Sequence, residues 1–417
     1  MRVKKAAAIV AAIALAITGC SRTEDNNGRT VIEFYQQNEA EVAIFEQIIR
    51  DFEAKSPSIK VTQVNVPEEE SGNVLNTRIA NGDAPDLFNE WFSQDFFDKI
   101  DNGVALDISA SGLVASVNPA LIEQTRYNNA TYMLPITQNF VGVYYNRDIF
   151  TQYSISVPQT LPELWAVCET LHSNGIIPIA VGDKDGWNLA HWASGLIGNY
   201  LPNYSEDFLG IFDGTLAGTD VQGLDDVADI VIKRTEYAQP GPLGADTDAM
   251  IALFASQKAG MMFGGSWNMA PLNAAELGFE YRIFPFPGPS PSETTVMSNA
   301  DFSLVFSAQS SAEKQSAAIT FAEYLLGEGG RTYVQLTGAI SGIVEVKTNS
   351  ERFPTVMDLV DEGRIFRMPS HGRWANETYL EYTVALQNLV MSGDKEVFYR
   401  EFAEALTNSG KPPTYID

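Results

Sequence analysis

The chain has 417 residues, 27 basic and 53 acidic, for a net charge of −26. That excess of acid excludes nucleic acid and anionic membrane faces as electrostatic partners. Hydrophobic residues make up 45% and charged residues 19%, which excludes a disordered chain; two cysteines exclude a disulfide framework, so apolar cores must hold the fold, and the length suffices for two sizeable lobes.

Residues 1–19 read as a leader. Arg2, Lys4 and Lys5 precede the uncharged apolar run 6–17, which is shorter than the roughly 20 residues of a spanning helix and fits a signal-peptide core. The run closes on Ile17-Thr18-Gly19-Cys20, which resembles the bacterial lipobox. The expectation is cleavage before Cys20 and attachment of lipid (palmitate) to it. An ordinary signal peptide with a chance cysteine fits the same letters, but the polar stretch 21–28 reads as a flexible tether and favours the anchor. Cleavage removes three basic residues and takes the net charge from −26 to −29. Cys168 then has no partner and reads as a small buried apolar side chain.

Residues 31–35 read as a strand. Asn38 with Glu41 predicts a helix N-cap; Phe45, Ile48, Ile49 and Phe52 follow on one helical face, and Pro57 stops it. Residues 59–66 predict a second strand whose alternation slips midway. Val74, Leu75 and Ile79 predict a helix ended by Gly82, and residues 86–88 a short buried strand. Thr160 and Glu163 form a capping box with Pro162 inside it, followed by Leu161, Leu164, Trp165, Cys168 and Leu171 at core spacing. Residues 176–181 predict a strand, Met250, Leu253 and Phe254 a helix, and residues 260–263 another strand. Ser310 and Glu313 predict the cap of a helix carrying Ala317, Phe321, Tyr324 and Leu325, and beyond residue 350 the chain reads as helical. Strands alternating with helices imply an α/β fold with a mainly parallel sheet.

Ligands of open α/β sheets sit outside the carboxyl ends of the strands. The turns at those ends are 36–39, 89–92, 182–187 and 264–267, and three of the four carry a tryptophan: Trp91, Trp187 and Trp267. The chain has only six tryptophans, and an indole is costly to leave wet at a loop tip. Together they suggest an apolar platform with polar neighbours. That mixture suits a pyranose, whose C–H face lies on an indole and whose hydroxyls meet the planar groups of Asp, Glu, Asn and Gln. Trp165 reads as core, whereas Trp192 fits core or ligand.

The segments 80–88, 134–136, 142–150, 157–164 and 260–267, among them Tyr144-Tyr145-Asn146-Arg147 and Gly264-Gly265-Ser266-Trp267, stand in an order and spacing that resembles the extracellular sugar-binding proteins of ABC importers, solute-binding family 1 of the maltose-binding type. The likeness runs from about residue 30 to the C-terminus. It implies an α/β, two-lobe periplasmic-binding-protein-like fold with a multi-crossing hinge and a ligand cleft between lobes. Lobe one is expected at 29–140 plus 307–340, lobe two at 147–298 plus 351–417, and the crossings at 141–146, 299–306 and 341–350, after a signal peptide at 1–19 and a tether at 20–28. The resemblance implies that Trp267 stacks on a sugar ring, and it carries contacts over to Gln37, Glu39, Gln138 and Asn139, with His371 and Trp374 as further contacts from the segment 368–374. Trp91, Trp187 and Asp301 complete the expected set. It further implies a monomer, lipid-anchored on the extracellular face of the cytoplasmic membrane, that hands an oligosaccharide to the permease subunits of an ABC importer.

His172, His191 and His371 form no metal spacing, and neither a phosphate loop nor a serine elbow is present. No cofactor, metal or catalytic residue is expected. A competing reading is a lipid-anchored carbohydrate-active hydrolase, which needs two opposed acids. Asp183, Asp185, Glu90 and Asp301 can be drawn into such a pair, although 53 acidic residues produce pairs by chance. A lipoprotein that binds peptides or another polar solute is the third reading.

Overall fold

The strand Thr30–Gln36 buries Ile32, Phe34 and Tyr35 and pairs in parallel with Ile59–Asn65 on one side and Leu87–Asn89 on the other. The structure, a computed structural model, describes Asp25, residues 27–369, His371, residues 374–410 and residues 412–413. Cys20 and the expected leader lie outside the described residues. The first sheet runs in the order Ile59–Asn65, Thr30–Gln36, Leu87–Asn89, Ser303–Phe306, Leu134–Pro135. Helix Val42–Lys55 turns Phe45, Ile48, Ile49 and Phe52 onto it, as its spacing predicts. Phe34 meets Phe45 at 5.0 Å and Phe321 at 6.0 Å, and Phe302 joins Tyr333 at 5.0 Å. Each such ring contributes roughly 1.5–3 kcal/mol through its buried area, which is how a chain without disulfides holds this lobe.

The second sheet runs in the order Tyr281–Phe284, Val141–Asn146, Ala259–Gly265, Ile177–Ala180. Helices Gly186–Tyr200, Leu224–Glu236, Asn376–Ser392 and Lys395–Asn408 pack with one another beside it. Trp192 is 3% exposed, stacks on Phe263 at 5.0 Å and carries the Arg234 guanidinium 4.5 Å above its ring, so it belongs to the core. Arg234 is ion-paired with Asp183, both 2% exposed. Breaking one half of such a pair leaves an uncompensated buried charge, a loss of about 3–5 kcal/mol, so Asp183 serves the fold.

Neither sheet is mainly parallel. Ser303–Phe306 runs antiparallel to both of its neighbours, as does Val141–Asn146. These are strands that arrive from the other sheet, and a chain crossing back enters against the direction of the strands already there. The chain leaves the first sheet after Pro135, enters the second at Val141 and returns at Ser303. Thr137–Gln138 pairs with Ile340–Ser341, and Gln138 bridges Ala300, so three passages of the chain are bonded together between the sheets.

Local signals hold in part. The Thr160–Glu163 capping box forms in both directions. Two other caps differ. Ser311, not Ser310, caps helix Ala312–Leu325, because the Ser310 hydroxyl donates to Asp86 at 2.6 Å. Helix Val42–Lys55 begins at Glu41 with no side-chain cap, its carboxylate being used elsewhere. Among the described residues no helix is long and apolar enough to cross a membrane.

Candidate functional site

Trp187 and His191 stand four residues apart on helix Gly186–Tyr200 and so share a face. Gly186 sits where a Cβ would overlap Thr383, which lets helix Asn376–Ser392 approach and brings Tyr379 beside His191. The opposite border of this patch is the turn after strand Ala259–Gly265. There Gly265 has extended backbone open to any residue, but a Cβ on it would overlap the six-membered ring of Trp267. Gly265 thus seats the indole, and Gly264 makes room for the Asn268 amide. The turn is pinned by Ser266 N–H to the Phe140 carbonyl (2.8 Å), Gly265 N–H to Asn268 Oδ1 (3.1 Å) and the Tyr144 hydroxyl to the Gly265 carbonyl (2.6 Å). Trp267 thus stands 6.1 Å from Trp187 and 5.3 Å from His191, ring centre to ring centre. Trp187 is 38% exposed, and the Trp267 indole N–H is buried without a protein acceptor. The result is an aromatic wall with the Trp267 indole N–H enclosed behind it.

The first sheet supplies polar groups at its carboxyl edge. Gln37 donates to Asn89 Oδ1 (3.2 Å), and Asn89 donates to the Ser303 carbonyl (3.1 Å). Trp91 follows in the same turn, half-buried, its N–H held by the Glu90 carboxylate at 3.0 Å, which in turn meets Lys99 at 2.9 Å. Asn139 and Asn299 exchange bonds across the passages between the sheets: Asn139 N–H to the Asn299 carbonyl (2.9 Å) and Asn299 N–H to Asn139 Oδ1 (3.0 Å). The Asn139 amide also donates to Asp301 at 3.4 Å.

Glu41 joins Asp301 there. The Tyr333 hydroxyl donates to it at 2.7 Å. Burial pushes its carboxyl from 4.5 up to about 8; the nearby Asp301 charge adds to the rise, and the bonds from Tyr333 and Asn38 oppose it. A carboxyl that keeps its proton at neutral pH donates as well as accepts, so Glu41 offers a donor that an ionised carboxylate lacks.

The expected residues therefore separate into groups. Trp187 and Trp267 come together, as do Asn139 and Asp301, while Gln37 and Trp91 share the edge of the first sheet. Gln138 is buried in its short strand pairing, and Glu39 is exposed. His371 is half-buried, its imidazole pushed down to about 3 by burial and then by His191. Trp374 is corrected: at 3% exposure it packs against Phe208, Tyr382 and Phe402 inside the second lobe. The reading missed His191, Tyr379 and Glu41. The four acids drawn into a hydrolase pair are engaged elsewhere: Glu90 with Lys99, Asp183 with Arg234, Asp185 with the Thr247 N–H, and Asp301 with Asn139. Among the described residues no cluster of three or more His, Cys, Asp or Glu side chains is placed to hold a metal.

A model of the bacterial extracellular solute-binding protein family matches residues 36–332. The chain belongs to this family. A relative, the multiple sugar-binding protein of Streptococcus mutans, is 24% identical over 396 residues, 92% of each chain. Among solved structures, the solute-binding protein RafE in complex with raffinose has a TM-score of 0.78 at 26% identity, over 92% of this chain and 100% of that one. A sugar transporter protein of Bacillus licheniformis in complex with stachyose shares the fold, with a TM-score of 0.71 at 18% identity over 90% of this chain and 100% of that one. Membership in this family of binding proteins accounts for two sheets joined by several passages of the chain.

Two outcomes are expected at the site. Gly265→Ala has an allowed backbone but displaces the Trp267 ring. It should weaken ligand binding about 10- to 100-fold while the melting temperature stays near wild type; unchanged binding would show that the indole is not a contact. For Glu41, the unfolded carboxyl releases its proton at 4.5 and the folded one at about 8. Between those values the native state holds a proton that the unfolded chain has lost, so stability falls as pH rises through that window. Urea midpoints across it should slope downward in wild type and less steeply in Glu41→Gln.

Proposed function

We propose that this chain is a carbohydrate receptor of an ABC importer, taking an oligosaccharide between its two lobes and delivering it intact to membrane permease subunits. The observation that carries this reading is the Trp187–Trp267 wall, an apolar surface on one sheet edge, with Glu41, Asp301, Gln37 and Trp91 on the other. A pyranose offers the same two kinds of surface. The names of the Streptococcus mutans relative and of the raffinose complex favour sugar over peptide. Binding without cleavage is favoured because the candidate acids are engaged in ion pairs and structural bonds, and because Glu41 and Asp301 stand together instead of flanking a scissile bond from two sides.

Sheet membership supports moving the expected lobe limits, with 141–146 assigned to lobe two and 303–306 to lobe one. We place Cys20 as the lipidated residue that anchors a monomer to the outer face of the cytoplasmic membrane, the reading that the lipobox-like Ile17-Thr18-Gly19-Cys20 supports. The charge of the chain is no obstacle, since the lipid holds the membrane and the polar tether keeps the acidic domain clear of it.

A thermal-shift panel of raffinose, stachyose, shorter sugars, amino acids and peptides tests the substrate class. A sugar at 100 times its Kd adds about 2.7 kcal/mol, which reads as an upward shift of melting temperature, and mass analysis should recover that sugar uncut. Recovery of cleaved sugar would favour the hydrolase, and a shift with peptides alone the third reading. In a bacterial host, Cys20→Ala should leave the protein in the soluble fraction; persistence in the membrane fraction would refute the anchor.

A further inference from the structure

His191 touches both indoles of the wall, and the sugar reading gives it no task. Its ring lies edge-on to Trp187 at 5.8 Å and 87°, to Trp267 at 5.3 Å and 76°, and to Tyr379 at 6.3 Å and 85°. The two indoles meet each other at 57°, 6.1 Å apart, with His191 against both. The ring is also fixed in rotation. Nδ1 stands 2.8 Å from the Trp187 carbonyl oxygen. A carbonyl only accepts, so Nδ1 carries the proton and Nε2 keeps the lone pair. The Tyr379 hydroxyl lies 3.3 Å from the same nitrogen and closes the far side. Burial favours the uncharged ring that this arrangement needs.

We propose that His191 is a positioning residue, the spacer that holds Trp187 and Trp267 at the separation and angle on which a pyranose can lie. The inference takes its purpose from the sugar-binding reading, but the geometry it asserts belongs to the ligand-free protein. An indole on a loop has two free side-chain torsions, and a stacking surface made of two such rings is useful only if both are held before the ligand arrives. Trp267 is seated from below by Gly265. Trp187, exposed on the first turn of its helix, has His191 as its lateral support.

The test separates the spacer from the sugar. Near-ultraviolet circular dichroism of the ligand-free protein reports coupling between two close indoles, taken as the difference between wild type and Trp187→Phe. His191→Ala should lose most of that difference signal, and His191→Phe, which keeps a ring and its edge contacts, should retain it. Raffinose and stachyose dissociation constants, measured by calorimetry on the same proteins, should rise about tenfold in His191→Ala and stay near wild type in His191→Phe. Should His191→Ala fail to fold, His191→Gln serves as the second ringless variant with the same expectation. A folded ringless variant that keeps the indole coupling overturns the proposal, and so does one that keeps wild-type sugar affinity. If neither sugar binds the wild-type protein, the sugar reading is what fails, and the dichroism alone decides the role of His191.

Discussion

The wall on the second lobe depends on a single steric fact: the indole of Trp267 lies where the side chain of residue 265 would be. Only glycine allows it. Strand Ala259–Gly265 is buried along its whole length and locked in register against Val141–Asn146, so the glycine cannot drift. From that seat the order of the wall follows outward. Trp267 bears on His191, His191 on Trp187 and Tyr379, and Tyr379 is in place because Gly186 lets its helix come close. A second glycine in contact with a partner helix thus completes what the first begins.

The two sheet edges differ in chemistry, and the difference is physical in origin. The second lobe turns aromatic rings outward from helices whose other faces are filled by Trp192, Phe263 and the Arg234–Asp183 pair. The first lobe fills its core with phenylalanines and brings its amides and carboxyls to the edge, where the passages between the sheets already need hydrogen bonds. Asn139 illustrates the economy of that region: it ties Asn299 in both directions and still reaches Asp301. Net charge, the most conspicuous property of the sequence, contributes little to this local arrangement. Glu41 keeps its proton because it is buried beside Asp301, an effect of a few neighbours.

What could be read in advance was what local chemistry specifies. The helix with Phe45, Ile48, Ile49 and Phe52, the Thr160–Glu163 box and the turn that ends in Trp267 each announce themselves within a few residues, and each stands where the letters place it. Strand direction is not local, so the mixed sheets were invisible. His191 and Tyr379 were missed because each lies inside a helix, and only the approach of the two helices makes them neighbours; Gly186 directly before Trp187 was the available signal. Glu41 was taken for part of a cap, the commonest use of an acid three residues after Asn, yet its carboxyl is held by Tyr333 from a distant helix. Trp374 failed in the opposite sense. Its immediate neighbours in sequence are mostly polar, but its ring is enclosed by Tyr382 and Phe402 from the two helices that follow and by Phe208 from a helix far away in the chain.

The contact between His191 and Tyr379 spans 188 positions, and that between Asn139 and Asp301 spans 162. Contacts of such long range require large loops to close before they return any stabilisation, which slows folding. Both sheets can acquire their parallel pairs from shorter stretches of chain, but the wall is unfinished until helix Asn376–Ser392 docks. A chain that lacks its last quarter would have no Tyr379 to back His191 against the indoles. The aromatic wall is therefore a property of the whole folded lobe, which its strands alone do not assemble.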